Sequence, residues 1–386
     1  MLDRAALSAL LSDLIRARSP DPPGDEAEIC AVLADRLRGL GFAPEVEEFA
    51  PRRFNLLVRL KGAGARPGLV FSAHMDTLPA GDPAGWRRDP FSGEDDGARL
   101  HGRGACDMKS GLAALISALT ALRESPPPGD VTLAVTGGES ANLIGARRLV
   151  ETGALAGHGA ILVGEPTSLD LVTATTSALW LRAEARGTVG HGSDGTGGTG
   201  GTGGADGAGG PAVNAIVALA RALDGLETAL PEATHPLLGG ATLNIGRIEG
   251  GSAINLMPDR CAADLDLRLP PGVTAKAAET ALAARLGPGI RLTRLDWKPA
   301  QETAPDAPLA RACLAAASRV RGAAAVPRGA RYFTDACILA PAFGLETATL
   351  GPGRLGGSGE ADESVVLADV ETAARIYAET ARAWSP

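Results

Sequence analysis

Several common signatures of function are missing from this 386-residue chain. Its five cysteines, Cys30, Cys106, Cys261, Cys313 and Cys337, are scattered, odd in number and never paired as CxxC. That argues against a disulfide framework or a thiolate zinc site and predicts reduced, mostly buried thiols. Nucleic acid would need a basic surface, but 37 Lys and Arg face 45 Asp and Glu, a formal net charge of −8. Phosphate neutralisation therefore has no footing. No apolar run approaches the roughly 18 to 20 residues of a membrane-spanning helix. The opening "MLDRAALSALLSDLIRARSP" lacks a basic start, a long apolar core and a small-residue cleavage site. Its leucines recur at helical spacing, which predicts an amphipathic helix in a cytoplasmic protein. The glycine-dense stretch "GSDGTGGTGGTGGADGAGG" at 192–210 has no following lysine, so it reads as a flexible linker rather than a phosphate-cradling loop.

What remains is the composition of a globular protein, 45% hydrophobic, and a length that exceeds what one core usually organises. From residue 1 to about 175, helical stretches such as "EAEICAVLADRLRGL" and "SGLAALISALTALRE" alternate with strand-like "NLLVRLKG", "GLVFSAHMD", "VTLAVTG" and "GAILVGEP". Such alternation predicts an α/β domain with a largely parallel sheet, whose sites form at the carboxyl ends of its strands. The region 176–292 changes character. Strands at "ALWLRAEARGTVG", "ATLNIGRIEGG" and "CAADLDLRLP", with helices at "AVNAIVALARALDGL" and "TAKAAETALAARL", suggest an inserted α+β sandwich with four or so strands. Residues 293–386 then complete the first domain.

Chemistry-bearing residues fall at the ends of those strands. In "SAHMDTLPAG", His74 and Asp76 are two apart and so share a side of the strand. The carboxylate can hold one imidazole nitrogen and leave the other for a metal, although a structural pair would leave the same trace. Asp107, in "HGRGACDMKSGLAA", is either a helix N-cap or a metal-binding carboxylate. Glu165, in "ILVGEPTSLD", is either a ligand or a solvated turn residue. Cys106 has no histidine placed as an obvious activating base, which leaves a catalytic thiol as the minor alternative.

In combination these segments are far more specific. "HMDT", "GRGACDMKSG", a Glu-bearing strand end followed by "GAR", "GEPT", "GTVGH", "GGSAINLMPD" and "GPG" occur in this order. Over nearly its whole length the chain resembles the M20 metallopeptidase family of acetylornithine deacetylases, succinyl-diaminopimelate desuccinylases, carboxypeptidase G2 and aminoacylases. The resemblance implies a zinc-exopeptidase-like α/β catalytic domain with an inserted lid that commonly mediates homodimerisation. It also implies a divalent cofactor, zinc or another ion such as cobalt, and a substrate that is an N-acyl amino acid or short peptide. On this resemblance His74, Asp107 and Glu165 are metal ligands and Asp76 orients His74. Glu139 is the general base that takes a proton from water and passes it to the leaving nitrogen, and His191 stabilises the oxyanion. Asn255 and Arg268 hold a substrate carboxylate.

Two positions depart from the family pattern. Ser140 stands where a second-metal glutamate is usual, and Gly359 aligns with a final metal-binding histidine. The chain's histidines are His74, His101, His158, His191 and His235, so none downstream can take over. Glu360 is the adjacent alternative. Asp107 alone is a poor cage for a second zinc, whereas the first site keeps three ligands and an open position. The expectation is a one-metal amidohydrolase of lowered or unusual activity. The alternative is a non-hydrolytic homologue that binds, scaffolds, or uses the pocket for acyl transfer. Ser140→Glu with Gly359→His is expected to rebuild the second metal site.

Overall fold

The computed structural model describes residues 1–64, 66–191 and 213–384. The glycine-dense stretch at 192–210 lies outside them. Contacts divide the chain into two units. The first contains Met1–Ala174, Gln301–Ala330 and Thr334–Pro386; the second contains Thr175–Ala300 and Arg331–Phe333. Among the described residues no helix is long and apolar enough to cross a membrane.

The first unit is built on a nine-stranded sheet. Strand Arg66–His74 pairs in parallel with Gly129–Thr136 on one side and His158–Val163 on the other, and Glu346–Thr349 extends the parallel set. These strands carry nearly continuous apolar runs because both faces are covered, so alternation is absent where burial is two-sided. The flanks are antiparallel: Arg53–Leu60 pairs with Gly129–Thr136, Glu45–Ala50 lies outside it, and Leu171–Thr175 borders Glu346–Thr349. The sheet is therefore parallel at its centre and mixed overall.

Helix Lys109–Glu124 is buried from Lys109 through Leu122 and packs against Leu367–Ala383 and Arg4–Arg16. Its all-round burial explains why small and apolar residues dominate its sequence. Gly111 permits the closest approach: a Cβ there would lie 2.0 Å from the carbonyl oxygen of Gly164. Only glycine lets the helix meet the strand end that carries Glu165.

The second unit has an antiparallel sheet ordered Thr242–Gly250, Arg260–Arg268, Ala178–Arg186, Ile290–Lys298. Helices Ala215–Leu223 and Ala275–Leu286 cover it, and Leu179, Leu181, Leu219, Leu265 and Leu282 form a separate core. Strand Ile290–Lys298 runs through the boundary expected at 292/293. It pairs with Ala178–Arg186 along its length, so the unit continues to Ala300.

Candidate active site

The carboxyl ends of the parallel strands bring together residues distant in sequence. His74 closes strand Arg66–His74, Glu165 follows His158–Val163 by two residues, and Asp107 precedes helix Lys109–Glu124. His74 Nε2 lies 3.2 Å from Asp107 Oδ1 and 3.3 Å from Glu165 Oε1. One ligand atom from each of the three falls within 4.8 Å of the others. The bland alternatives fail on geometry. Met108, not Asp107, occupies the N-cap position, and no side chain caps the helix. Glu165 is only 6% exposed, which is not the environment of a solvated turn residue.

The group's electrostatics call for a cation. Burial opposes a charge on His74, yet Glu165 and Asp107 overcome it and hold the imidazole pKa well above its ordinary value. Burial also opposes ionisation of Asp107, but hydrogen bonds from His74 and Ser358 bring it down to about 2. Glu165 is pushed up to about 8 by burial and then by the Asp107 charge. Glu139 is raised well above the carboxylate range, first by burial; His74 opposes this, and Glu165, Asp335 and Asp76 add to it. One imidazole and two carboxylates, converging in a buried acidic pocket, suit a divalent ion with an open coordination position.

Asp76 does something other than expected. His74 Nδ1 is 2.9 Å from the backbone carbonyl of Asp76 but 3.8 Å from its carboxylate. The carbonyl fixes the imidazole. The carboxylate is turned to the next loop, where it accepts from the amides of Glu139 at 3.1 Å and Ser140 at 3.2 Å. Glu139 is thereby held in the turn between strand Gly129–Thr136 and helix Ile144–Thr152. Gly138, at φ +70, gives that turn its left-handed backbone.

The Ser358 hydroxyl donates to the other Asp107 oxygen, Oδ2. Gly359 has φ +77, which strains any side chain placed there. Glu360 pairs with Arg354 rather than with the site.

Four contributors escaped sequence reasoning. Ser358 gives no signal, being one serine in a glycine-rich loop. Arg103 and Glu363 form a buried pair at 2.5 Å behind Asp107, and a pair 260 residues apart leaves no local pattern. Asp335 is buried at the start of helix Ala336–Phe343 and accepts from the Thr136 hydroxyl. Burial pushes its pKa to about 6. The Thr-Asp pair before an apolar run, "FTDACIL", is a helix-start signal that could have found it. Cys106 is buried, and burial pushes its thiol pKa far up, which removes it as a nucleophile. All five cysteines are buried and none is in a disulfide among the described residues, as expected.

The other three sequence-derived residues belong to the second unit. His191 pairs with Leu256 across a two-stranded ladder, which places it beside Asn255 on an exposed edge. Arg268 ends its strand with Nε and Nη2 on Asp266 Oδ2, at 3.1 and 3.0 Å, and its guanidinium 5.6 Å from the Phe333 ring. The same acid's Oδ1 accepts from the Trp180 indole at 3.1 Å.

Residues 70–383 match the profile of peptidase family M20/M25/M40. The chain belongs to the M20 peptidase family. Among M20 relatives, succinyl-diaminopimelate desuccinylase of Rhodospirillum centenum is 34% identical over 275 residues, 67% of each chain. The desuccinylase of Paracoccus denitrificans is 34% identical over 302 residues, 75% of this chain and 74% of its own. The fold matches that of an M20 family metallo-carboxypeptidase from Sulfolobus solfataricus at 17% identity, with a TM-score of 0.80 over 99% of both chains. As an M20 member with desuccinylase relatives, the protein is a hydrolase acting on amide bonds.

Proposed function

We propose that the protein is a one-metal M20 amidohydrolase that cleaves the N-acyl or peptide bond of a carboxylate-bearing amino-acid substrate. The observation that carries this reading is the division of labour on Asp107: Oδ1 faces His74, while Oδ2 accepts from Ser358. His74, Asp107 and Glu165 would hold the ion, zinc being the first candidate from the mixed nitrogen and oxygen donors. A bound divalent ion would polarise the scissile carbonyl and make water a better nucleophile.

Glu139 takes the proton from the attacking water and delivers it to the departing nitrogen, so the amide bond breaks as the new carbon–oxygen bond forms. Burial raises its pKa well above the ordinary carboxylate value, which strengthens it as a proton acceptor. Asp76 keeps it in place through the two amide contacts. We assign oxyanion stabilisation to His191 and the grip on the substrate carboxylate to Asn255 and Arg268. The desuccinylase relatives make N-succinyl and other N-acyl amino acids the first substrates to test.

We further propose a cytoplasmic homodimer joined through the second unit. Ile216, Ile245, Ile248 and Ile254 are exposed there, and Thr242–Gly250 is an edge strand, a combination that natural proteins usually cover. Five buried cysteines outside any disulfide fit a reducing compartment. The test of activity is a panel of N-acyl amino acids and dipeptides with and without added zinc. Metal-dependent cleavage supports the reading; metal binding without any cleavage would favour a non-hydrolytic role.

A further inference from the structure

His74 closes a strand held in the sheet ladder, and Glu165 follows the end of another by two residues. Asp107 has no such support. It lies in the turn 103–108, where the amides of Cys106 and Asp107 need acceptors from outside the turn.

Glu363 supplies them. Its Oε1 accepts from the amides of Cys106 at 2.7 Å and Asp107 at 3.0 Å, and its Oε2 accepts from Arg103 Nη1 at 2.5 Å. Arg103 also donates through Nη2 to the carbonyl of Gly359 at 3.2 Å. Both partners are nearly sealed from water, Glu363 at 4% exposure and Arg103 at 3%. A buried carboxylate is tolerated only when its charge is paired and its oxygens are engaged, and both conditions are met here. With Ser358 on Asp107 and the Gly102 amide donating to the Glu363 carbonyl at 2.9 Å, the segment 358–363 is fastened to the Asp107 turn.

We infer that Glu363 is a positioning residue of the metal site: it sets the backbone from which Asp107 reaches the ion, and Arg103 balances its charge. This rests on the reading of His74, Asp107 and Glu165 as ion ligands. Glu363 touches neither ion nor substrate. Its effect passes through the Asp107 amide, and outer partners of this kind commonly tune metal affinity by about 10- to 100-fold.

The test is titration of Zn2+ or Co2+ into metal-free wild type and Glu363→Gln, followed by calorimetry and, for cobalt, by the visible spectrum. Glu363→Gln should bind about 10- to 100-fold more weakly, with an altered cobalt spectrum. Tyr377→Phe is the control for lost stability, because its hydroxyl donates to Leu350 O in the core at 2.6 Å; it should lower Tm and leave affinity unchanged. Should Glu363→Gln fail to fold, Arg103→Lys tests the same clamp, since it keeps the charge and loses the two-nitrogen geometry. Wild-type affinity and spectrum in the folded variant would overturn the inference, as would a loss no greater than that of Tyr377→Phe. A wild type that binds no ion would overturn the metal reading itself, and this inference with it.

Discussion

The carboxylate of Asp76 holds the backbone of Glu139, not the ring of His74: its Oδ1 accepts from the Glu139 amide at 3.1 Å, whereas His74 Nδ1 lies 3.8 Å away. Asp76 is thus tied to the Glu139 loop more than to the His74 ring. Asp76→Asn should lower kcat by roughly 10- to 100-fold, because an amide side chain offers one acceptor oxygen where the carboxylate offers two. Metal affinity should change little, since the Asp76 carbonyl still holds His74. Steady-state kinetics beside metal titration separates the two. A collapse of metal affinity with kcat per bound ion intact would show that the carboxylate serves His74 after all.

Glu139→Gln keeps the size of the side chain and removes its ability to take a proton. Turnover should fall by about 100- to 10,000-fold, with KM and metal content close to wild type. Residual turnover near the wild-type level would place the base elsewhere, and Asp335, buried behind Thr136, would be examined next.

The convergence of His74, Asp107 and Glu165 is legible because each is written locally. Apolar runs ending in "AHMD" and "LVGEP" predict strands that deliver acids and an imidazole to one edge, and His74, Asp107 and Glu165 meet there. What escaped was non-local. The role of Asp76 depends on which of its oxygens faces which loop, and two-residue spacing cannot tell the carbonyl from the carboxylate. The Arg103–Glu363 clamp and the Ser358 contact join segments more than 250 positions apart. The boundary expected at 292/293 falls inside strand Ile290–Lys298, where charged residues such as Arg291 and Arg294 stand among the apolar ones and obscure the strand pattern.

Ser140→Glu with Gly359→His restores the two missing ligand types but leaves two obstacles. Ser358 still engages Asp107 Oδ2, and residue 359 must adopt φ +77. The double variant should therefore remain at one ion per chain by elemental analysis, with reduced stability from a β-carbon in left-handed backbone. Two ions per chain would show that neither obstacle matters.

Stability should carry a signature of Glu26, which lies beneath the Arg53 guanidinium at 2.9 Å. Burial, opposed by Arg53, pushes its pKa from 4.5 to about 7. The folded state then keeps the proton up to about pH 7, while the unfolded chain releases it near 4.5. The stabilisation is fully present below pH 4.5, is lost as pH rises towards 7, and stays level above that. Wild-type Tm should fall across this window relative to Glu26→Gln, which cannot titrate. Parallel Tm profiles for the two proteins would show that Arg53 keeps Glu26 ionised throughout.

The most direct test of the one-metal account is the rate of amide cleavage measured while Zn2+ is titrated into metal-free protein, with bound zinc counted in the same samples. The account predicts activity that rises to a plateau at one bound ion per chain. A plateau reached only at two ions would contradict it.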